Sequence, residues 1–139
     1  MKRKKQKKKI STKLQNYSRE TMTCDQCAIL DLPNKPFLYE DDNVFAMLAP
    51  QPCTAGHVLV VPKTHFPIFE NVPDELVAYA VVIANKISMA LFDGLHAQGS
   101  NLLICNGVPA GQESAHTMIH VIPRMPADGL SFVWLPRQM

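Results

Sequence analysis

The stretch AGQESAHTMIHVIPR (residues 110–124) carries the pattern on which the interpretation of this sequence depends. It places His116 and His120 four residues apart, with Met118 midway between them. Side chains alternate between the two faces of an extended strand, so these three residues are predicted to share one face. A polar row on one face of a strand indicates a functional site, and the methionine at its centre needs an explanation.

The connection that leads into this stretch, NGVPAGQ (106–112), contains two glycines. Glycine lets backbone N–H groups approach an anion closely, and successive N–H groups can form a concave anion site. The loop therefore predicts a phosphate contact, with side-chain donors nearby. Glycine turns also join strands without binding a ligand, so this alternative stays open. The candidate phosphate-binding residues are Asn106, Gly111, Gln112, Ser114 and His120.

Working outward, short β-rich segments surround one long helix. The segments PFLYED, 43–49, 57–62, 101–105 and HTMIHVIP are predicted strands. The helix is predicted over 73–95, because apolar residues at 76, 80, 83, 87 and 91 form one stripe and Gly94 suits its end. Short connections between neighbouring strands favour antiparallel pairing. We therefore predict an α+β domain, with one antiparallel sheet and helix on one face.

A Cys24-x-x-Cys27 pair precedes the first predicted strand. Two thiolates at this spacing can bind one metal ion, and a tetrahedral zinc site needs two further ligands. His65 and His116 are the candidates, whereas His57 begins a strand and is predicted to pack or to form a hydrogen bond. A metal-free or redox-active pair is the alternative. If zinc binds, its role is predicted to be structural.

Charge is distributed unevenly along the chain. Residues 1–10 hold seven of the 14 basic residues and no acidic residue, which leaves the remainder with a net charge of −5. Such a run is predicted to be disordered, and it is either a solvated terminus or a weak binder of polyanions such as RNA. We divide the chain into a basic tail (1–20), a domain (21–130) and a C-terminal extension (131–139).

Two further features concern the location of the protein. The segment that follows the basic run, STKLQNYSRETM, has no apolar core of the kind that a signal peptide needs. No stretch of the sequence approaches the roughly 18 apolar residues that a membrane helix needs. A cytoplasmic protein with no membrane partner is therefore expected.

Taken together, these motifs resemble the histidine triad (HIT) family. Members carry an N-terminal CxxC, a stretch like GHTLVIPKTH, a long helix, and AGQ followed by HxHxH and IPR. The counterparts here are the cysteine pair, GHVLVVPKTH (56–65), the predicted helix and the stretch 110–124, in that order. The resemblance implies a five-stranded antiparallel sheet with one long and one short helix. It also implies a homodimer.

The resemblance extends to the metal and to the reaction. In zinc-bearing members the ligands are the CxxC pair, the histidine of PKTH and the first triad histidine, which implies zinc on Cys24, Cys27, His65 and His116. Active members are nucleotidyl hydrolases or transferases whose central histidine attacks an α-phosphate. That position falls on Met118 in this sequence. A neutral imidazole can attack phosphorus and then leave, whereas a thioether has no comparable basic nitrogen.

Two other positions depart from the family pattern. Members often have an aspartate that grips the ribose hydroxyls, in a stretch like FLDINP, and Ala49 stands at that place in MLAPQP. Members also often have an asparagine where this sequence has Cys105. If Met118 narrows the pocket, a bulky base and ribose no longer fit, which favours a small phosphate or no ligand.

Three hypotheses about function follow. The first is a zinc-stabilised HIT dimer that holds a nucleotide or another phosphate-bearing molecule without cleaving it. The second is a nucleotide phosphohydrolase or nucleotidyltransferase with altered catalytic residues, in which Cys105 is the nucleophile and His120 the acid or base. Cys53 is a weaker candidate for the nucleophile. The third is an interaction or RNA-binding protein that uses the basic tail of residues 1–10.

Overall fold

The computed structural model describes residues 24–133 and Pro136. The predicted tail of residues 1–20 lies outside the described residues, as does most of the predicted extension of 131–139. The regular elements, in chain order, are α1 (Asp25–Ile29), β1 (Phe37–Glu40), β2 (Val44–Leu48), β3 (Val58–Pro62), α2 (Asp74–Leu95), β4 (Gly99–Leu103) and β5 (Ile119–Arg124). Single 3-10 turns lie at Phe69–Asn71 and Val108–Ala110.

The strands of residues 24–133 form one antiparallel sheet in the order β1-β2-β3-β5-β4. The predicted α+β class, with a long and a short helix, is therefore confirmed. The last strand inserts between β3 and β4, so that His120 pairs with Leu59 on one side and with Leu103 on the other. This insertion brings the histidine of the last strand beside the loop that leads into β3.

Two strand boundaries differ from the prediction. The fourth strand covers residues 99–103 instead of 101–105, and β5 begins at Ile119. His116 and Met118 therefore lie in an irregular segment before the strand, and their shared face with His120 does not follow from strand alternation. The irregular backbone lets His116 turn toward the cysteine pair while Met118 stays at the sheet.

The long helix packs one stripe of side chains on the sheet. Leu76, Ala80 and Ile83 are buried against strand residues such as Val58 and Val60. Ile87 and Leu91 pack more loosely at the edge of the same core, so the predicted stripe is confirmed. Each such side chain contributes about 1.5–3 kcal/mol when it is fully buried.

The end of α2 lies directly over the start of the β3 segment. A Cβ atom at Gly56 would lie 2.4 Å from Leu95 Cδ1, and the residue adopts a φ of +86°. Both facts require glycine at this position, because any side chain would clash and would strain the backbone. Gly56 thus lets the helix close over the sheet next to His57.

The opposite face of the sheet carries a second, smaller core. Its buried members are Phe45, Met47, Ala49, Leu59 and Val61. The short helix α1 covers part of this face through Ile29, and Met118 packs against the same cluster. Met118 is thus part of the floor on which the site described below is built.

The outer face of α2 corrects one expectation. By length and composition alone the helix is long and apolar enough to cross a membrane, with a mean hydropathy of 1.6. The statement that no stretch approaches such a length is therefore wrong. Its buried stripe packs on the sheet, however, as the core helix of a folded domain does. The exposed large apolar side chains of this helix are Val81, Val82, Met89, Phe92 and Leu95.

Asp41 ties the turn between β1 and β2 to the long helix. Its carboxylate accepts the N–H groups of Asn43 and Val44 at 2.8 and 2.9 Å, and the hydroxyl of Tyr39 at 2.6 Å. The hydroxyl of Tyr79, on α2, donates a further short hydrogen bond. Burial alone would raise the pKa of Asp41, but these hydrogen bonds together lower it to about 2.

Tyr79→Phe is expected to lower the free energy of unfolding by about 1–2 kcal/mol at neutral pH, because it removes a hydrogen bond to a carboxylate. The folded-state pKa of Asp41 lies below its usual value of 3.8, so this stabilisation is full above that value. It is lost as the pH falls through 2. Urea unfolding of both proteins across this range tests the prediction, and an equal difference at all pH values would contradict it.

Candidate functional site

The structure brings Cys24, Cys27, His65 and His116 together. Their ligand atoms all lie within 4.8 Å of one another. Cys24 is the residue before α1 and Cys27 lies one turn along it, while His65 follows β3 and His116 precedes β5. The four predicted metal ligands therefore converge from four separate parts of the chain.

The distances within this cluster fit a tetrahedral zinc ion. The Cys24 Sγ atom lies 3.4 Å from His116 Nδ1, and Cys27 Sγ lies 3.5 Å from the Nδ1 atoms of both His116 and His65. Zinc bonds of about 2.3 Å to sulfur and 2.0–2.1 Å to nitrogen, at tetrahedral angles, place the two ligand atoms about 3.5 Å apart. The donor set of two thiols and two imidazoles is also that of structural zinc sites.

The surroundings of His116 and Cys27 bear on their protonation. His116 Nε2 lies 2.7 Å from the carbonyl oxygen of Pro62, so it carries the proton and leaves the Nδ1 lone pair for the cluster. Burial lowers the pKa of His116 to about 4, which keeps the ring neutral. Burial, followed by the neighbouring Cys24, raises the pKa of Cys27 to about 12. A bound cation would instead lower the pKa of Cys27 and stabilise its thiolate.

A pocket of about 440 Å³ lies beside the cluster, on the face of the sheet that carries the second core. Of the residues predicted from the sequence to form a ligand site, the structure places six on its wall. Asn106 is not among them, since its side-chain oxygen accepts the N–H of Phe69 at 3.0 Å and so supports the loop. The six residues are Cys53, Cys105, Gly111, Gln112, Ser114 and His120, and Met118, at the position of the expected nucleophile, lines the pocket with them.

His57 and His120 form a hydrogen-bonded pair in this wall. The backbone N–H of Cys53 donates to His57 Nδ1 at 3.2 Å, so the proton of the neutral His57 ring is on Nε2. That atom lies 3.0 Å from His120 Nδ1 and donates to it. His120 therefore carries its own proton on Nε2, which is left as a hydrogen-bond donor.

Both rings of this pair are held neutral. Burial, and then the neighbouring imidazole, lower the pKa of His57. Burial also lowers the pKa of His120, although the charge of Glu113 opposes this effect. The role of His57 is not visible in the sequence, because it depends on the antiparallel pairing of β3 with β5.

The side chains of the predicted phosphate loop support the loop itself. Gln112 Nε2 donates to the carbonyl oxygens of Pro67 at 2.5 Å and Ser114 at 2.8 Å, and its Oε1 accepts the N–H of Gly107 at 2.7 Å. The hydroxyl of Ser114 donates to Gln26 at 2.7 Å. Both side-chain N–H groups of Gln112 are thus used within the loop. Its contact to a phosphate stays a prediction.

The backbone after Gln112 offers the donors that these side chains do not. Within the described part of the chain, no acceptor binds the backbone N–H groups of Glu113 and Ser114. Both residues line the pocket, as does His120. An anion at this end of the pocket can therefore be met by backbone N–H groups and one imidazole N–H.

The two thiols that line the pocket differ in their neighbours. The Cys53 Sγ atom lies 3.5 Å from His57 Nδ1, and this residue is exposed. For Cys105, which the sequence favours as the substitute nucleophile, no imidazole within residues 24–133 lies at hydrogen-bond distance. The predicted pairing of Cys105 with His120 is thus not seen, and the thiol next to an imidazole is Cys53, beside His57.

The pocket wall continues past residue 130. Leu130 and Phe132 both line the pocket. Arg124, at the end of β5, holds this segment through an ion pair with Asp128 at 2.7 Å and a short hydrogen bond to the carbonyl oxygen of Leu130. Its guanidinium also lies 5.5 Å from the centre of the Phe132 ring. Sequence analysis assigned residues 131–139 to an extension and did not identify this part of the pocket wall. The sequence of this segment has no periodic pattern that would reveal it.

Comparison with known proteins assigns this fold and site to a family. Residues 33–127 match the model of the HIT domain. This chain is a member of the HIT family. It is 39% identical over 114 residues to Protein hit of Bacillus subtilis, a match that covers 80% of this chain and 78% of that protein. It is also 41% identical over 93 residues to Adenylylsulfatase HINT3 of Arabidopsis thaliana.

The match to the Arabidopsis protein covers 67% of this HIT chain but only 47% of that longer protein. Solved structures are similar over more of their length. A zinc-bound histidine triad family protein from Mycobacterium smegmatis superposes with a TM-score of 0.73 and 40% identity, and the match covers 84% of this chain and 85% of that one. A hypothetical histidine triad nucleotide-binding protein from Sulfolobus tokodaii gives 0.71 and 30%, over 83% and 79%. The predicted HIT fold is thus confirmed.

Proposed function

We propose that this HIT protein holds a nucleotide or another phosphate-bearing small molecule and does not cleave it through a nucleotidyl-histidine intermediate. The observation that carries the proposal is the position of Met118 on the pocket wall, two residues before His120. In the HxHxH spacing of the family, this is the position of the central histidine. A relative described as nucleotide-binding supports the ligand class.

None of the imidazoles on the pocket wall has a lone pair free for attack on phosphorus. The Nδ1 atom of His57 accepts the N–H of Cys53, and Nδ1 of His120 accepts the proton of His57. His116 directs Nδ1 at the cysteine pair and Nε2 at Pro62. The thioether of Met118 cannot take the role of a basic nitrogen. Binding without this covalent step is therefore the function that the pocket supports best.

The same pocket retains what a phosphate group needs. His120 Nε2 is a donor held in place by His57, and the N–H groups of Glu113 and Ser114 have no acceptor among the described residues. Hydrogen bonds from such donors to an ionised phosphate are roughly twice as strong as those between neutral groups. These residues thus provide a binding end without providing a nucleophile.

Zinc on Cys24, Cys27, His65 and His116 is the second part of the proposal. The ligand distances and the zinc-bound relative from Mycobacterium smegmatis support it. Zinc would supply fixed tetrahedral bonds at this point. The four residues would then fasten α1 and the segment before β5 to the sheet, which keeps the pocket wall in place.

A homodimer is the third part. The exposed apolar side chains on the outer face of α2 support the homodimer. Leu102, on the edge strand β4, is 42% exposed and supports it as well. Covering such a surface is favourable, and contiguous exposed apolar patches are typical of interfaces. A cytoplasmic location, and binding of nucleic acid by residues 1–10, are carried forward as proposals that rest on the sequence alone.

Incubation with ADP, diadenosine polyphosphates and an AMP-lysine phosphoramidate tests the central proposal. No release of AMP above the buffer control is expected. Calorimetry with AMP and GMP is expected to detect binding that His120→Ala abolishes. Catalytic release of AMP by the wild-type protein would refute the proposal of binding without cleavage.

A thiol-dependent enzyme is the second candidate, because Cys53 Sγ lies 3.5 Å from His57 Nδ1. In such a reaction the thiol would pass its proton to Nδ1 while its sulfur attacks phosphorus. The leaving group would depart with the electron pair of its broken bond to phosphorus, and water would then release the phosphoryl group from sulfur. The Nδ1 nitrogen would first have to give up the hydrogen bond from the Cys53 backbone, which is why binding alone is preferred. AMP release that vanishes in Cys53→Ser and persists in Cys105→Ser would establish this alternative.

A further inference from the structure

The pocket combines one hydrogen-bonding end with an apolar floor, and this combination bears on the kind of molecule it takes. From it we infer that the preferred ligand is the phosphate monoester of an apolar, aromatic alcohol and not a nucleotide. The inference rests on the proposed function, in which a phosphate is held near His120. It goes further by assigning the chemistry of the rest of the ligand.

The floor of the pocket is part of the second core. Ala49 and Leu59 are buried members of that cluster, and Met118 packs against it. All three also line the pocket. These side chains are therefore fixed by the packing of the sheet and offer a ligand no polar atom other than a thioether sulfur. A group that rests on this floor must be apolar to avoid losing hydrogen bonds to water.

A further part of the wall is apolar as well. Leu130 and Phe132 line the pocket, on the segment that Arg124 holds. Together with the floor, they offer a ligand aliphatic, aromatic and thioether groups. An aromatic ring suits this space, because thioether sulfur makes favourable contacts with aromatic rings and a ring also packs on phenylalanine.

A ribose would find few acceptors for its hydroxyl groups. Among the described residues that line the pocket, Glu113 is the only carboxylate, and its charge acts on His120 at the phosphate end. The amide oxygen of Gln26 already accepts the Ser114 hydroxyl, and Gln51 is exposed. Each hydroxyl that is buried without a partner lowers affinity by about tenfold or more.

The phosphate end has its own complement of donors. Besides His120 and the backbone N–H groups of Glu113 and Ser114, Thr117 borders the pocket. Its hydroxyl is buried and has no partner among the described residues. Because this oxygen has no accessible surface, it does not contact a ligand in the pocket, and the phosphate donors are those of His120, Glu113 and Ser114. The polar contacts thus come from residues 113–120, directly beside the apolar floor of Ala49, Leu59 and Met118.

Calorimetry on the full-length, zinc-loaded protein tests this with phenyl phosphate, AMP, inorganic phosphate and phenol as probes. Phenyl phosphate is expected to bind at least tenfold more tightly than AMP, inorganic phosphate or phenol. His120→Ala should abolish its binding. Met118→Ala should lower the affinity for phenyl phosphate by about tenfold and change the affinity for inorganic phosphate by less than about twofold. Ala49→Ser, which adds one polar atom to the floor, should narrow the gap between phenyl phosphate and AMP.

The outcomes separate this inference from the proposed function. Binding of AMP that is tighter than that of phenyl phosphate, and lost in His120→Ala, overturns the aromatic preference and leaves the proposed function standing. Equal binding of phenol and phenyl phosphate overturns the assignment of the phosphate end. Absence of binding by every phosphate-bearing probe overturns both. If Met118→Ala is unstable, Met118→Leu keeps the volume and is expected to weaken only the aromatic ligands.

Discussion

Cys27→Ser is expected to abolish zinc binding and to lower the free energy of unfolding by about 3–5 kcal/mol, the largest loss of stability expected from a single substitution in this protein. Cys27 Sγ contacts two of the other candidate ligands, so its loss removes one corner of the tetrahedron. Zinc finger domains unfold entirely without metal, whereas this domain also has a core of its own. The expected result is therefore a folded protein with a much lower Tm.

Elemental analysis of the purified protein and thermal unfolding measure the two effects. Cys105→Ser is the matched control, because Cys105 is a partly buried cysteine that lies outside the metal cluster. It should retain one zinc ion per chain and unfold near the wild-type temperature. Chelation of the wild-type protein should reproduce the Tm of Cys27→Ser. Equal metal content in Cys27→Ser and Cys105→Ser would show that the cluster holds no zinc.

Met118→His is expected to create AMP-releasing activity, whereas under the proposed function the wild-type protein releases no AMP. The new imidazole is expected to lie on the pocket floor beside His120, with one ring nitrogen available to attack phosphorus. Removing a nucleophile that acts in a covalent mechanism costs a factor of about 10⁴ to 10⁶ in rate, so a gain of at least about 10²-fold over background is expected even from incomplete restoration.

The control for this substitution is Met118→Gln, which introduces a polar side chain of similar length without a nucleophilic nitrogen. It should release no AMP. Adding Cys105→Asn to Met118→His should increase the rate, because it restores the polar neighbour that the HIT family pattern has at this position. If Met118→His binds AMP as the wild type does but releases none from any substrate, the missing imidazole does not explain the absence of hydrolysis.

The parts of the fold that were predicted correctly are those with a periodic or a motif signature. The stripe of α2 follows from the 3.6-residue period of its apolar residues, and the clustering of Cys24, Cys27, His65 and His116 follows from two cysteines at a fixed spacing and a limited number of histidines. Both depend on local sequence or on chemistry that few residues can perform. The apolar outer face of α2 was not anticipated. Its apolar residues leave the 3.6-residue period of the buried stripe intact, so that period does not reveal them.

The features that were missed depend on contacts between distant segments. His57 binds His120 because β5 pairs with β3, a relation that no local pattern encodes. The support that Gln112 gives to its loop through Pro67 and Ser114 was also not foreseen, while its phosphate contact stays a prediction. The start of β5 was also misplaced, because His116 and Met118 fit the alternation of a strand although their backbone is irregular.

Arg124 has a consequence for how such a protein diversifies. This one side chain attaches the segment from Asp128 to Phe132 to the end of the sheet, and that segment makes few demands on the rest of the fold. Substitutions within it can reshape one side of the pocket while the strands, the helix and the metal cluster stay as they are. One side of the pocket can therefore vary independently of the fold, whereas the floor of Ala49, Leu59 and Met118 can change only together with the packing of the sheet.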